Sequence, residues 1–318
     1  MNVMHCLGVD LGGTAVKIGL FSMDGQLICK LQNPVNKAAG SEGILSEIAA
    51  SAARLMNEQH AEDVCCLGMG VPGNVAEGRF ALRCVNLSWQ NVPVSDFLEK
   101  LLHIPVTILH DASAAALGEH WRGASRAYDS SVLVTLGTGV GGGLIDRNRL
   151  IEGAHGCDGE LGHMTLFPDE ASPFPCSCGK RGCLEQYTAA PAIVRQARAA
   201  LAASDTPSLL RSVADLQAKD VFDAAKAGDA PALGVVDRVC FYLGVALANV
   251  AAVFDPEAFI IGGGVSKAGR ILTDTILPYY RQYAYPGTDH AEFVLAKLGN
   301  EAGMYGAARF ALDKLGSL

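Results

Sequence analysis

Four side chains with the chemistry of zinc ligands lie within a short segment that is rich in glycine and proline. The spacing is His-x12-Cys-x-Cys-x4-Cys, formed by His163, Cys176, Cys178 and Cys183. Three thiolates and one imidazole are the ligand set of a closed tetrahedral zinc site. The alternative is three buried cysteines beside an unrelated histidine, since free cysteine is among the most buried residue types. No apolar run surrounds these cysteines to bury them, which favours zinc.

A glycine-rich turn that carries a hydroxyl follows an apolar run near the start of the chain. The run Leu7–Asp10 ends in an aspartate, and the turn contains Gly12, Gly13 and Thr14. Successive backbone amides in such a turn can bind phosphate. Asp10 could bind Mg²⁺ directly or through water, because magnesium prefers a few carboxylates together with phosphate oxygens. A plain hairpin turn is the alternative interpretation.

The same pattern of apolar run, glycine and threonine turn, and second apolar run returns at Val132–Asp146, where the turn contains Thr138 and Gly139. The repetition predicts two related halves that hold a phosphate chain between two hairpin turns. A third glycine turn follows the buried run Ala258–Ile261 and consists of Gly262, Gly263 and Gly264. Its functional interpretation is close approach to the sugar or base of a nucleotide. Its alternative is a tight packing turn between a strand and a helix.

An aspartate stands at the boundary between a predicted strand and a predicted helix. The strand Val106–Leu109 leads to His110 and Asp111, and the helix Ala112–Trp121 follows at once. Ligands of α/β sheets bind beyond the carboxyl ends of the strands, which favours a functional role for Asp111. A simple helix cap is the alternative.

Two common nucleotide-binding motifs do not fit the chain. Gly137, Gly139 and Gly142 spell Gly-x-Gly-x-x-Gly, but the strand-like run Leu144–Leu150 follows them where a dinucleotide fold needs a helix. The pattern Gly-x4-Gly-Lys-Ser/Thr of a P-loop does not occur in the sequence.

The composition indicates a globular protein with two domains. The chain has 318 residues, of which 50% are hydrophobic, and this length exceeds the usual size of a single core. A net charge of −8 argues against a nucleic-acid or anionic-membrane surface. The longest apolar stretch, Leu243–Phe254, is interpreted as too short to cross a bilayer. Ten scattered cysteines and an N-terminus without a signal peptide predict a reduced, cytoplasmic location.

Hydrophobic periodicity predicts a helical third of the chain after the cysteine segment and a final helix at the end. The predicted helices are Ser41–Gln59 with Ser41 as its cap, Ser95–Leu102, Ala189–Ala203, Ser208–Ala214, Val221–Ala227, Pro231–Phe254, Leu272–Tyr285 and Glu301–Lys314. Further strands are predicted at Cys65–Val71 and Glu292–Lys297, with Asn86 on a loop.

Taken together, these segments resemble the ROK sugar kinases, a family within the actin-like and hexokinase-like ATPase superfamily. The resemblance covers essentially the whole chain and is carried, in order, by GVDLGGTAVKIGLF, GMGVPG, HDASAAALGE, VTLGTGVGGGLI, EGAHGCDGELGHM, CSCGKRGCLE and DPEAFIIGGGVS. It implies an α/β fold of two actin-like (ribonuclease H-like) ATPase domains with a cleft between them. The expected domains are residues 1–120 together with the closing helix 301–318, and residues 121–300.

The resemblance also implies roles for individual residues. Asp111 corresponds to the catalytic base, and the ROK zinc site maps onto the four ligands above, which makes Zn²⁺ structural. The implied sugar ligands are His110, Glu160, His163, Glu185, Gly73 and Asn86. The implied ATP-binding residues are Asp10, Gly12, Gly13, Thr14, Thr138, Gly139, Gly262, Gly263 and Gly264, with Mg²⁺ as the partner of ATP.

Two positions depart from the family pattern. The usual Asn-Asp-Ala-Asn is replaced by His110-Asp111-Ala112-Ser113, and Asp158 stands where a small alanine is common. His110 is therefore expected to contact the sugar and to influence specificity, with a side chain turned away from the sugar as the alternative.

The expected activity is ATP-dependent phosphorylation of a hexose, with glucose on its 6-hydroxyl as the first candidate. An N-acetylmannosamine or N-acetylglucosamine kinase shares every motif, and a catalytically inactive sugar-sensing regulator is the alternative from another class. Many ROK repressors carry an N-terminal helix-turn-helix, and Asp10 lies too early in the chain for one, which favours a kinase. The resemblance further implies a homodimer or homotetramer, with neither nucleic acid nor membrane as a partner.

Overall fold

The structure, a computed structural model, describes residues 4–61, 63–166 and 174–316. The contacts between residues divide the chain into two compact units. Unit 1 comprises Met1–Asp129, Gly143–Gly159 and Lys297–Leu318, and unit 2 comprises Ser130–Gly142 and Glu160–Ala296. Compared with the domains expected from sequence, unit 1 also contains residues 121–129, 143–159 and 297–300.

The described residues form strands and helices that alternate along much of the chain. The strands are β1 (His5–Leu11), β2 (Ala15–Ser22), β3 (Leu27–Pro34), β4 (Val64–Val71), β5 (Asn74–Ala76), β6 (Phe80–Cys84), β7 (Trp89–Pro93), β8 (Val106–His110), β9 (Ser131–Leu136), β10 (Val140–Asp146), β11 (Arg149–Leu150), β12 (Ala258–Gly262) and β13 (Glu292–Leu295). The α-helices are α1 (Gly40–Glu58), α2 (Val94–Leu102), α3 (Asp111–Arg122), α4 (Glu185–Thr188), α5 (Ala190–Ala203), α6 (Ala218–Lys226), α7 (Ala230–Phe254), α8 (Arg270–Tyr283) and α9 (Ala302–Leu315).

The main sheet of unit 1 has the strand order β3-β2-β1-β4-β8. The first three strands form an antiparallel meander, whereas β4 and β8 run parallel to β1. Val71 at the end of β4 pairs with His110 at the end of β8. Because parallel strands end at the same edge of a sheet, the turn after β4 and the start of α3 lie side by side.

Helix α3, which begins with Asp111, is held in unit 1 by close contact with α9. A Cβ atom on Gly306 would lie 1.6 Å from the carbonyl oxygen of Ala114, and one on Gly118 would lie 2.1 Å from that of Ala302. Only glycine permits two helix backbones to approach this closely. The pairing of α3 with α9 thus fixes the direction in which Asp111 leaves the sheet.

A buried carboxylate ties the end of α3 to the start of α9. Glu119 is fully buried. Its Oε2 accepts hydrogen bonds from the backbone N–H groups of Ala124 at 2.7 Å and Lys297 at 3.0 Å, and its Oε1 accepts one from Leu298 at 2.7 Å. Three amides satisfy the charge, which is the condition under which a carboxylate is tolerated inside a protein.

A second five-stranded sheet has the strand order β11-β10-β9-β12-β13. Strands β9, β12 and β13 are parallel, while β10 and β11 form an antiparallel hairpin.

Helix α7 has 25 residues and is long and apolar enough, by length and composition, to span a membrane. However, 61% of its most apolar stretch is buried within the protein, as in a core helix. The sequence-based estimate of a short apolar stretch was wrong, because the helix begins at Ala230 and its apolar residues continue on both sides of the charged pair Asp237 and Arg238.

Several elements differ from the sequence prediction. Ser41 lies inside α1, whose N-cap is Ala39. The helix predicted over Ser208–Ala214 is a single 3-10 turn, Leu209–Ser212, whose start is capped by the Ser208 side chain. The region around Asn86, predicted as a loop, contains β5, β6 and β7, which form a separate three-stranded sheet with a short 3-10 turn at Val85–Leu87. These strands have only three to five residues, too few to show a clear alternation.

Candidate active site

The first glycine turn joins β1 to β2 and is closed by a hydrogen bond from Gly12 N–H to the carbonyl of Ala15 at 2.9 Å. Beside it, Asp10 and Lys17 are paired across the two strands. The Nζ atom of Lys17 lies 3.1 Å from Oδ2 of Asp10 and also donates to the carbonyl oxygen of Asn300 at 2.7 Å. The sequence analysis did not identify Lys17. The only feature of the sequence that relates it to Asp10 is their separation of seven residues.

The candidate base lies at the junction of β8 and α3. The Asp111 side chain is 40% exposed, so a substrate can reach it. Nε2 of His110 lies 3.2 Å from Oδ1 of Asp111. Burial, together with the nearby charge of Asp111, raises the pKa of the Cys84 thiol to about 11. The base thus has an imidazole on one side and a neutral thiol near it.

Two further predicted sugar ligands belong to unit 1. A Cβ atom on Gly73 would lie 2.1 Å from the carbonyl oxygen of Arg83, so this turn needs glycine. Asn86 is exposed, and its Cβ atom lies 3.6 Å from the place where a Cβ of Gly13 would stand. The structure therefore brings Asn86 close to the first glycine turn.

In unit 2, Glu160 and His163 lie on and beside a short 3-10 turn, Leu161–His163. Nε2 of His163 is 3.7 Å from Oε2 of Glu160. The opposite ring nitrogen, Nδ1, lies 3.5 Å from Sγ of Cys176. The imidazole therefore faces a carboxylate on one side and the cysteine cluster on the other.

The four predicted zinc ligands converge. The ligand atoms of His163, Cys176, Cys178 and Cys183 all lie within 4.8 Å of one another. Burial, followed by hydrogen bonds from the Cys183 thiol to the neighbouring cysteines, raises the pKa of Cys183 to about 12. Three thiols at this separation would repel one another when ionised, unless a cation lay between them. The donor set and its spacing therefore fit a tetrahedral zinc ion.

The second glycine turn contacts another predicted sugar ligand. Oε2 of Glu185 accepts a hydrogen bond from Val140 N–H at 3.0 Å and would lie 2.4 Å from a Cβ atom on Gly139. Glu185, at the start of α4, thus shapes the turn that contains Thr138. One of its carboxylate oxygens is engaged by the protein itself.

The third glycine turn shows both of the features considered from sequence. Gly263 has a φ of 80°, and a Cβ atom there would lie 2.4 Å from the carbonyl oxygen of Leu136. A Cβ on Gly264, by contrast, would meet nothing within 4 Å. Gly263 is thus required for packing, whereas Gly264 leaves open space beside the backbone.

Unit 2 also contains a cleft of about 560 Å³, and Thr138 is one of the residues that line it. Its polar wall includes Arg195, Arg198 and Gln217. The Arg195 guanidinium lies 4.0 Å above the ring of Phe174 and donates to the carbonyl of Gln186. The sequence analysis missed these residues, because the sequence of an alanine-rich helix does not show which face of the helix borders a cleft.

Comparison with known proteins finds glucokinases and a transcriptional regulator with the same architecture. A glucokinase of Halalkalibacterium halodurans is 40% identical over 307 residues, which cover 94% of this chain and 92% of the relative. A ROK family glucokinase of Streptomyces griseus, solved with glucose and AMPPNP, superposes with a TM-score of 0.80 at 35% identity, covering 97% of this chain and 99% of that one. A ROK family transcriptional regulator, a homologue of the E. coli MLC protein, gives a TM-score of 0.86 at 29% identity over 96% of this chain and 77% of its own.

The fold is therefore that of the ROK glucokinases, and the predicted α/β class is confirmed. The sequence profile of the ROK family matches residues 6–314. The chain belongs to the ROK family.

Proposed function

We propose that this protein is an ATP-dependent glucokinase that transfers the γ-phosphoryl group of ATP to the 6-hydroxyl of glucose. The observation that carries the proposal is the position of Asp111, an accessible carboxylate at the carboxyl end of β8, in a chain that resembles glucokinases over nearly its whole length.

Asp111 acts as the general base. It accepts the proton of the sugar hydroxyl as the hydroxyl oxygen forms a bond to the γ-phosphorus and the bond to the β-γ bridging oxygen breaks. General-base catalysis increases the reaction rate by about 10²- to 10⁴-fold, while positioning and charge neutralisation supply most of the remaining rate acceleration.

The phosphates are held by backbone amides of the two glycine turns, Gly12–Thr14 and Thr138–Gly139. Asp10 binds Mg²⁺ directly or through water, and Mg²⁺ neutralises phosphate charge when it is bound. Lys17 holds the Asp10 carboxylate through their ion pair and adds a positive charge nearby. The nucleoside occupies the cleft that Thr138 lines. The backbone of Gly262–Gly264 is a second surface for the nucleoside in this proposal.

The sugar is bound by hydroxyl-accepting carboxylates and by backbone near the base. Glu160 and the second oxygen of Glu185 accept hydrogen bonds from hydroxyls, and His163 donates from Nε2. Gly73 and Asn86 are further sugar ligands in this proposal, whereas His110 lies beside the base. The site would reject other sugars, because a sugar with an absent or misplaced hydroxyl leaves a buried polar group of the protein unpaired.

Zinc is structural in this proposal. With Nδ1 of His163, which lies 3.5 Å from Sγ of Cys176, on the ion, Nε2 would keep its hydrogen and could donate it to the sugar, since Oε2 of Glu160 at 3.7 Å is beyond hydrogen-bond distance. A metal ligand whose other nitrogen is hydrogen-bonded has a fixed tautomer and orientation. The ion thereby organises sugar binding without an open coordination position for catalysis.

Two alternatives share the fold. An N-acetylmannosamine or N-acetylglucosamine kinase would use the same base and turns, and a non-catalytic sugar sensor would use the sugar site alone. The presence of Asp10, Asp111 and the glycine turns favours catalysis. We further place the protein in the cytoplasm as a homodimer or homotetramer, without a nucleic-acid or membrane partner.

A coupled assay of ADP release, run with glucose, mannose, fructose, allose and both N-acetylhexosamines, tests the proposal. We expect the highest kcat/KM with glucose. A higher value with an N-acetylhexosamine would assign the alternative substrate, and absence of ADP release with every sugar, despite sugar binding, would favour the sensor.

A further inference from the structure

His110 touches the candidate base directly. It is the last residue of β8 and immediately precedes α3, and its Nε2 lies 3.2 Å from Oδ1 of Asp111. The imidazole is 15% exposed, whereas the Asp111 side chain is 40% exposed. The ring is therefore mostly buried within unit 1, where it lines a cavity of about 1050 Å³, and the carboxylate is the more accessible of the two groups.

The surroundings of the ring determine which nitrogen carries hydrogen. Nδ1 of His110 is buried and has no hydrogen-bond partner among the residues that the structure describes. A hydrogen on Nδ1 would be a buried donor without an acceptor, which is unfavourable. The hydrogen is therefore assigned to Nε2, the nitrogen that lies 3.2 Å from Oδ1 of Asp111.

The first turn of α3 is held independently of this contact. Ser113, two residues after the base, donates from Oγ to Oδ2 of Asp158 at 2.7 Å. Ser113 is 2% exposed, so the bond is protected from water. A substitution at His110 thus leaves the helix start in place and alters only the contact with the carboxylate.

We propose that His110 is a positioning residue for Asp111: Nε2–H donates to Oδ1 and fixes the rotation of the carboxylate, so that it meets the substrate hydroxyl in one orientation. This inference rests on the proposed kinase function. It differs from a direct contact between His110 and sugar, because a residue that acts on the base affects every sugar substrate alike.

Three substitutions separate the two roles. His110→Phe keeps a planar ring without a donor. His110→Gln places an amide N–H three bonds from Cβ, as Nε2 is in histidine, and His110→Asn places its donor one bond short. The same change on an exposed histidine that lines the same cavity, His155→Phe, is the matched control.

We expect His110→Phe to lower kcat by about 10- to 100-fold with every accepted sugar, which lies within the range of a general base's contribution. The KM for glucose should change less than about threefold, and the ratios of kcat/KM among hexoses should stay within about threefold. His110→Gln should recover most of kcat, His110→Asn little of it, and His155→Phe should match the parent protein.

Unchanged kcat in His110→Phe, or a Gln variant no faster than the Phe variant, would overturn the proposal. So would a change of more than about tenfold in the sugar ratios, since a direct sugar contact predicts that result. If the Phe variant does not fold, the comparison of Gln with Asn decides by the same criteria. Failure of the kinase proposal is recognised separately, because the parent protein would then release no ADP.

Discussion

Lys17 and Asp10 form an ion pair of 3.1 Å across β1 and β2, beside the turn proposed to hold phosphate. Both side chains are largely buried, with 25% and 19% of their surfaces exposed. The lysine therefore fixes the carboxylate more firmly than a solvent-exposed pair would.

We predict that Lys17→Met raises the KM for MgATP by about tenfold or more, because the Asp10 carboxylate loses its partner and the turn loses a positive charge. Steady-state kinetics at saturating glucose measure the effect. The control is Lys30→Met, on the neighbouring strand β3, which breaks a more exposed ion pair with Glu301. It should change the KM for MgATP less than about twofold. Equal effects of the two substitutions would contradict a specific role for Lys17.

Asp111→Asn should lower kcat by at least about a hundredfold, because an amide cannot accept the proton of the hydroxyl. Folding and glucose binding should persist, since the side chain is accessible and keeps nearly the same shape. Isothermal titration with glucose and single-turnover kinetics measure the two properties separately. The control is Asp24→Asn, at an exposed turn of the same unit. Turnover near that of the parent protein would rule out Asp111 as the base.

One zinc ion per chain is expected by elemental analysis, and Cys178→Ser should abolish it. The ion supplies ordering energy to a segment with few apolar side chains, so its loss should lower the Tm by about 5 °C or more. Because His163 would lose its fixed orientation, the KM for glucose should also rise by about tenfold. Cys29→Ser, a partly exposed cysteine on β3, should keep full zinc content. Active protein without metal would refute the assignment.

Glu119→Ala should lower the free energy of unfolding by about 3 kcal/mol or more, because three backbone N–H groups lose their acceptor inside the protein. Urea denaturation measures the loss. Glu58→Ala, at an exposed position on α1 that faces Arg54, should cost less than about 0.5 kcal/mol. A similar small loss at Glu119 would show that water replaces the carboxylate readily.

The sequence predicted those features that local patterns encode. The glycine turns, the strand before Asp111 and the ligand spacing of the cysteine segment each lie within a few dozen residues, so periodicity and spacing revealed them. The short strand β6 was missed because it holds its place through the pairing of Arg83 with Asn74 and Gln90, and not through an alternation of its own.

The hydrogen-bond partners of individual side chains could not be predicted from the sequence, for a different reason. Ser113 and Asp158 are 45 residues apart, and Glu119 reaches Leu298 across 179 residues. Such pairs depend on how the sheet and helices are assembled, and neither residue type reveals its partner. His110 is intermediate: its position was singled out from sequence, but the atom that it touches required the fold.

The contact between α3 and α9 has a consequence for how the protein is made. Helix α9 follows the whole of unit 2 along the chain, yet its backbone fills the space above Gly8 and Gly68 on the central strands of unit 1. A nascent chain on the ribosome therefore exposes that apolar surface until residues 302–315 have emerged. Since domains generally fold as units during synthesis, unit 2 can finish folding before unit 1, and the helix that bears Asp111 reaches its final place last.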